Sequence, residues 1–260
     1  MRRKISIAVL LSLALFSCSN GGKKAETPKP ESREQVLMTF FQSLRSKTDA
    51  QIADSMRVFY HRNEKDSAML NLVQDYLYDP NSPFRNEDVY LPFVKEMAQS
   101  ESTPDSLRAF YSKQVKMCSL NRRGTPASDF EYVTLDGRRG RLYDIKANVT
   151  LLFFSNPGCE ACKEITDALQ ASDAFVKATV DGKLAVVNIY IDEDLKAWRE
   201  YAVEYPLAWI NGYDPNYIIR KDLLYNVRAI PSLYVLDEYK KVILKDAPAE
   251  AVFALLSNIL

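Results

Sequence analysis

Histidine, cysteine and net charge are the scarce features of this chain. His61 is the only histidine among 260 residues. It sits in His61-Arg62-Asn63-Glu64-Lys65, a polar stretch that reads as a solvated loop or helix end. One imidazole cannot complete a zinc site with the C-x-x-C pair unless Cys118 is recruited as well, so no metal is expected. The four cysteines, Cys18, Cys118, Cys159 and Cys162, are far too few for a disulfide scaffold. Lys plus Arg and Asp plus Glu both number 34, and that balance argues against nucleic acid or an acidic surface as the main partner. Long apolar runs are missing too, because Ile5 to Phe16 is too short for an ordinary transmembrane span. At 47% hydrophobic residues, the chain can still bury a core, and its length suits two domains.

Chemistry concentrates in Asn156-Pro157-Gly158-Cys159-Glu160-Ala161-Cys162. Ahead of it, Val149-Thr150-Leu151-Leu152-Phe153-Phe154 is an unbroken run, mostly β-branched or aromatic, which predicts a strand buried on both faces. Behind it, Cys162, Ile165, Leu169 and Val176 fall at helical spacing, and the pattern predicts a helix over about 159–178. A C-x-x-C at a strand-to-helix junction reads as a dithiol redox site. Cys159 falls at the helix start, where unsatisfied N–H groups and the helix dipole favour a thiolate. Cys162 follows one turn later on the same face, within reach for a disulfide. Glu160 works against the dipole by raising the Cys159 pKa, which predicts a more reducing couple than in oxidases with histidine between their cysteines.

The rest of the chain frames that stretch. Ser32-Arg33-Glu34-Gln35 has capping-box spacing, and helical patterns follow it at about 49–60, 64–78, 87–99 and 104–119. Residues 31–120 show no strand period and no repeat, so they read as a small all-α domain. Its aromatic residues, Tyr60, Tyr76, Tyr78, Phe84, Tyr90, Phe93, Phe110 and Tyr111, are most simply packing, with a substrate groove as the alternative. Cys118, in a stripe with Val115, reads as a small buried hydrophobe; the alternative is a third redox thiol near the domain junction. From residue 121 the pattern changes. A hairpin is expected over Phe130–Tyr143, strands at 149–154 and 184–191, and a helix at 195–203. A short extended piece at 206–210 and a helix at 217–225 follow, then strands at 232–236 and 242–244 and a last helix opened by Pro248. That is an α/β plan with a mixed sheet over 121–260.

Residues 124–260 resemble a thioredoxin-fold domain of the TlpA/ResA type. The resemblance rests on Gly124-Thr125-Pro126-Ala127-Ser128-Asp129-Phe130, on the strand into Cys159-x-x-Cys162, and on Ala229-Ile230-Pro231-Ser232 leading into a strand. It implies that Pro231 is cis and faces the dithiol, and that the Ile230 backbone pairs with the substrate chain. An ordinary strand-entry proline is the competing reading of Pro231 alone. The chain departs from the family at four places. Gly158 replaces a tryptophan, Phe153 stands where many thioredoxins bury a carboxylate, and Ser128 replaces a proline. Ile165 occupies the position of a glutamate, which leaves Glu164, one residue earlier, as a candidate proton shuttle; solvated helix surface is the other reading. The helical half resembles a domain of unknown function placed ahead of thioredoxin-like domains in Bacteroidetes lipoproteins.

At the N-terminus, Arg2-Arg3-Lys4 and the apolar Ile5–Phe16 lead to Leu15-Phe16-Ser17-Cys18, which resembles a bacterial lipoprotein processing box. The resemblance implies a signal peptide at 1–17, acylation of Cys18 as a membrane anchor, and an oxidising compartment. A plain secretory signal with a chance cysteine is the competing reading. Residues 18–30 form a tether, whose Ser19–Pro30 part spans about 40 Å at full extension. In Bacteroidetes lipoproteins an acidic run after the acylated cysteine marks export to the cell surface; none follows Cys18, and Ser19 adjoins it, so the resemblance implies a periplasm-facing anchor in the outer membrane of the cell envelope.

The leading expectation is an envelope thiol–disulfide oxidoreductase, a reductase or isomerase acting on protein disulfides or thiols. It needs no cofactor, is re-reduced by an envelope electron donor, and binds no nucleic acid. The alternative is a non-catalytic binding module in which Cys159–Cys162 is a structural disulfide. A peroxide-reducing enzyme is disfavoured, because the threonine and proline ahead of a lone peroxidatic cysteine are absent.

Overall fold

The computed structural model describes residues 31–260. The segments read as signal peptide and tether, with Cys18, lie outside the described residues. Five helices come first: α1 Arg33–Leu44, α2 Asp49–Asn63, α3 Ser67–Leu77, α4 Glu87–Gln99 and α5 Asp105–Cys118. Side-chain caps begin α2, α3 and α4. Thr48 and Gln51 close a capping box at α2, Asp66 accepts the Met69 N–H at α3, and Asn86 accepts the Val89 N–H at α4. Their apolar faces meet in one core around Leu37, Met56, Val73, Tyr90, Phe93 and Val94.

The chain then alternates: β1 Glu131–Thr134, β2 Arg139–Arg141, β3 Val149–Phe154, α6 Glu160–Ala171, α7 Asp173–Val180, β4 Leu184–Tyr190 and α8 Leu195–Ala202. It ends with β5 Ile210–Tyr213, α9 Ile218–Lys221, β6 Ser232–Asp237, β7 Val242–Leu244 and α10 Ala249–Ile259. The seven strands form one mixed sheet in the order β2-β1-β5-β4-β3-β6-β7, in which β3, β4 and β5 run parallel. This is an α/β thioredoxin-like fold preceded by a small all-α domain. Strand β3 sits between β4 and β6 and is buried at all six positions. Its side chains alternate, as a pleat requires. Val149, Leu151 and Phe153 enter the core with α6, α7 and α10, while Leu152 and Phe154 enter the core with Phe130, Tyr225 and Tyr234.

Three expectations are corrected. The helix carrying the C-x-x-C does not run to 178 unbroken: Ser172 leaves helical backbone, ends α6 and caps α7 through the Phe175 N–H. The strand expected at 206–210 lies at Ile210–Tyr213 instead. The Trp209 N–H turns back to the Pro206 carbonyl at 3.0 Å, and Asn211 and Gly212 lie within the strand. A Cβ on Gly212 would stand 3.1 Å from the Val133 carbonyl and 3.2 Å from the Tyr132 ring, so glycine serves close strand packing there. The helix expected over 217–225 shrinks to Ile218–Lys221, because Tyr217 and Leu223 take φ of 56° and 51°. That break frees Tyr225 to reach into the core and donate its hydroxyl to the Ser128 carbonyl at 2.5 Å.

Candidate redox site

Strand β3 delivers the chain to Ser155, and the turn Asn156-Pro157-Gly158 passes it into α6. Gly158 takes φ of 72°, a backbone state glycine enters without steric cost. Cys159 is the N-cap of α6, and its Sγ accepts the Cys162 N–H at 3.1 Å. Sulfur at this point faces the positive end of the helix, the arrangement that stabilises a thiolate once the thiol is reduced. Cys159 and Cys162 are joined as a disulfide with Cα atoms 5.2 Å apart. The two sulfurs differ in access. Cys159 is half-buried, whereas Cys162 is fully buried beside Phe153, Ile165 and Leu233. Glu160, the first residue of α6, follows the outer cysteine in the chain and is exposed.

The Ile230-Pro231 peptide bond is cis. Ile230 packs against the same core as Cys159 and Cys162. Its own N–H and carbonyl enter no backbone hydrogen bond among the described residues, so this half-buried edge has backbone groups to offer a second chain. Ala161 and Glu164 on α6 and Ile230-Pro231 line one groove, which brings the C-x-x-C helix and the proline edge together. Glu164 lies on the exposed face of α6 and Ile165 on the buried face.

The other candidates fall elsewhere. His61 is exposed near the end of α2, 3.7 Å from Glu64 and 3.3 Å from Glu96. Cys118 is a free, fully buried thiol at the end of α5, and burial pushes its pKa up. Among the described residues no group of three or more histidine, cysteine or carboxylate side chains is placed to hold a metal ion. Among those same residues, no helix is long and apolar enough to cross a membrane.

Two polar clusters escaped the sequence reading. Just past β3, the Ser155 hydroxyl donates to Asn188 Oδ1 at 2.5 Å and accepts from the Tyr205 hydroxyl at 2.9 Å, all three groups being buried. A serine and an asparagine interrupting apolar runs were the available signal. The second cluster joins the helical half to the proline edge. Glu87, at the start of α4, is 2% exposed and lies 2.9 Å from Arg228 and 2.7 Å from Lys245. Arg228 also reaches Asp246 at 2.8 Å and covers the Tyr78 ring at 4.3 Å. Asp246 in turn accepts from the Ser232 hydroxyl at 2.7 Å, directly after Pro231. Burial raises the Glu87 carboxyl above its usual range, against the opposing pull of Lys245 and Arg228.

Comparison with known proteins agrees with this architecture. Residues 147–242 match a thioredoxin-like family, and residues 23–121 match a domain of unknown function, DUF5106. A thioredoxin-like protein from Bacteroides caccae is 34% identical, with 88% of this chain and 83% of that one covered and a TM-score of 0.81. The C-terminal domain of an uncharacterized protein from Bacteroides fragilis is 44% identical over 53% of this chain and 98% of its own, with a TM-score of 0.51. The thioredoxin-like protein YneN of Bacillus subtilis is 32% identical over 122 residues, which is 45% of this chain and 66% of that relative's length.

Proposed function

The chain belongs to the thioredoxin-like proteins, and from that premise we propose that it is an envelope thiol–disulfide oxidoreductase that reduces or isomerises protein disulfides. The observation that carries the reading is the inequality of the two sulfurs: a half-buried Cys159 at a helix N-cap, bonded to a fully buried Cys162.

In the reduced enzyme the Cys159 thiolate attacks one sulfur of a substrate disulfide. A Cys159–substrate bond forms, the substrate S–S bond breaks, and one substrate thiolate leaves and takes a proton from water. Cys162 then gives up its proton and attacks Cys159 Sγ. The Cys159–Cys162 bond closes, the mixed disulfide breaks, and the second substrate thiol departs. Two electrons have passed from the dithiol to the substrate, and a thiol donor in the envelope restores them. The Cys162 proton leaves through water admitted as the mixed disulfide forms, because Glu164 lies on the exposed face of α6 and is turned away from that buried sulfur; Ile230 and Pro231 dock the substrate chain. No cofactor takes part. Acylation at Cys18 holds the protein on the periplasmic side of the outer membrane, and the 18–30 tether gives it reach.

Replacing Cys162 with Ala stops the cycle at its midpoint. Expressed in its own envelope, that variant accumulates mixed disulfides on Cys159, visible as reducible high-mass bands and identified by mass spectrometry. An envelope free of such adducts speaks for the binding-module alternative.

A further inference from the structure

The groove beside the dithiol is built by both halves of the chain. Its volume is about 340 Å³, and Ala161, Glu164 and the Ile230-Pro231 edge form one side. Pro80, Asn81 and Arg85, from the connection between α3 and α4, complete it together with Glu250 of α10. That connection is fastened in place. The Ser82 hydroxyl donates to the Tyr76 carbonyl at 2.6 Å, and Arg85 donates to the Asp246 and Ala247 carbonyls, each at 2.9 Å.

The charge on the groove is net negative. Glu164 and Glu250 are exposed there, and neither enters a salt bridge among the described residues. Among the described residues that line it, Arg85 is the only cation, and its donors go to the backbone carbonyls of Ser82, Asp246 and Ala247. A segment lying in the groove meets the unpaired backbone of Ile230 on one side and two carboxylates set against a single guanidinium, with Glu250 close enough to Arg85 to act on its charge and Glu164 left without a cation.

We propose that this groove is the docking surface for an extended polypeptide segment of the disulfide substrate with a basic side chain beside its cysteine. Residues 80–85 of the helical half form its far wall and so take part in substrate selection. The inference rests on the redox reading of Cys159 and Cys162, which supplies the substrate.

Docking and chemistry separate experimentally. Two fluorescent ten-residue peptides, with lysines or glutamates flanking a serine in place of cysteine, are titrated into the full oxidised chain and followed by anisotropy. The lysine peptide binds about threefold to tenfold more tightly, the range expected of one or two exposed charge contacts. Glu250→Lys brings the ratio toward one, and Asn81→Trp, which fills the far wall, weakens both peptides. Equal binding of the two peptides, a ratio unmoved by Glu250→Lys, or indifference to Asn81→Trp overturns the proposal. The same peptides carrying cysteine in a mixed disulfide are then offered to the reduced chain. Binding preference without any reduction leaves the docking surface standing and refutes the redox reading; reduction of both at equal KM does the reverse.

Discussion

Cys159, Cys162 and Cys118 are chemically the same side chain in three surroundings. Cys159 has water on one side and a helix N-terminus on the other. Cys162 and Cys118 have no access to water. A thiolate is the reacting species, and at Cys118 burial outweighs the pull of the nearby Lys245 and Arg228 and keeps the thiol protonated. In the reduced protein at pH 8, iodoacetamide therefore labels Cys159 first. Cys118, whose pKa burial raises, is labelled only when the chain unfolds, and raising the pH to 9 in the folded state does not rescue it. Peptide mapping by mass spectrometry reads the order. Labelling of Cys118 as fast as Cys159 would make it a third redox thiol. The residues of this site were legible because C-x-x-C, a helix start and the 149–154 run are all local signals. The burial that separates Cys118 from Cys159 was only half legible, since the Val115 stripe showed an apolar face but not what covers it.

Among the elements, the entry segment before β1 shows how a departure from family pattern is compensated. Ser128 stands in place of an expected proline, and its N–H donates to Asn121 Oδ1 at 2.7 Å while its carbonyl accepts from Tyr225. Asn121 is itself buried, and its amide group donates to the Leu224 carbonyl at 2.8 Å. Proline at 128 removes the donor and leaves a buried acceptor unpaired, a loss of about 1–3 kcal/mol. Ser128→Pro thus lowers the urea midpoint with an unchanged slope; a neutral or stabilising effect would show that the Asn121 bond contributes nothing. This exchange explains why element boundaries near β5 and α9 escaped a local reading. Gly212 is a strand residue only because Tyr132 lies against it, and the α9 segment stops early so that Tyr225 can meet Ser128, 97 positions away. Strand β3 and helix α6 needed no such distant partner, and their patterns were sufficient.

At the scale of the molecule, residues 33–260 form one compact unit, and buried charge joins its halves. Glu87 and Asp246 supply two carboxylates, and Arg228 and Lys245 supply two cations. Lys245 also donates to the carbonyls of Cys118 and Leu120 at 2.9 and 2.5 Å, which ties the end of α5 to β7. None of this was readable from sequence. Glu87 is remote in the chain from Arg228 and from the adjacent Lys245 and Asp246, and each individually looks like a surface charge. Such a set is costly to desolvate and more costly to break. Glu87→Ala strands Lys245 and Arg228 without their shared anion, and costs about 3–5 kcal/mol in urea denaturation. A loss below about 1 kcal/mol would mean that water takes over the pairing. Because Arg228 precedes the Ile230-Pro231 edge and Asp246 holds Ser232 after it, the same change loosens the edge proposed to dock substrate.

The central claim is that the Cys159–Cys162 bond opens and closes as part of a reaction. Equilibrating the folded chain in graded glutathione and dithiothreitol buffers, then quenching and counting free thiols, tests it most directly. With Glu160 following Cys159 in the chain, a reversible transition is expected at roughly −180 to −270 mV, more reducing than the about −120 mV of a strong oxidase. A bond that stays closed below about −300 mV, or until the protein unfolds, is a structural disulfide and contradicts the account.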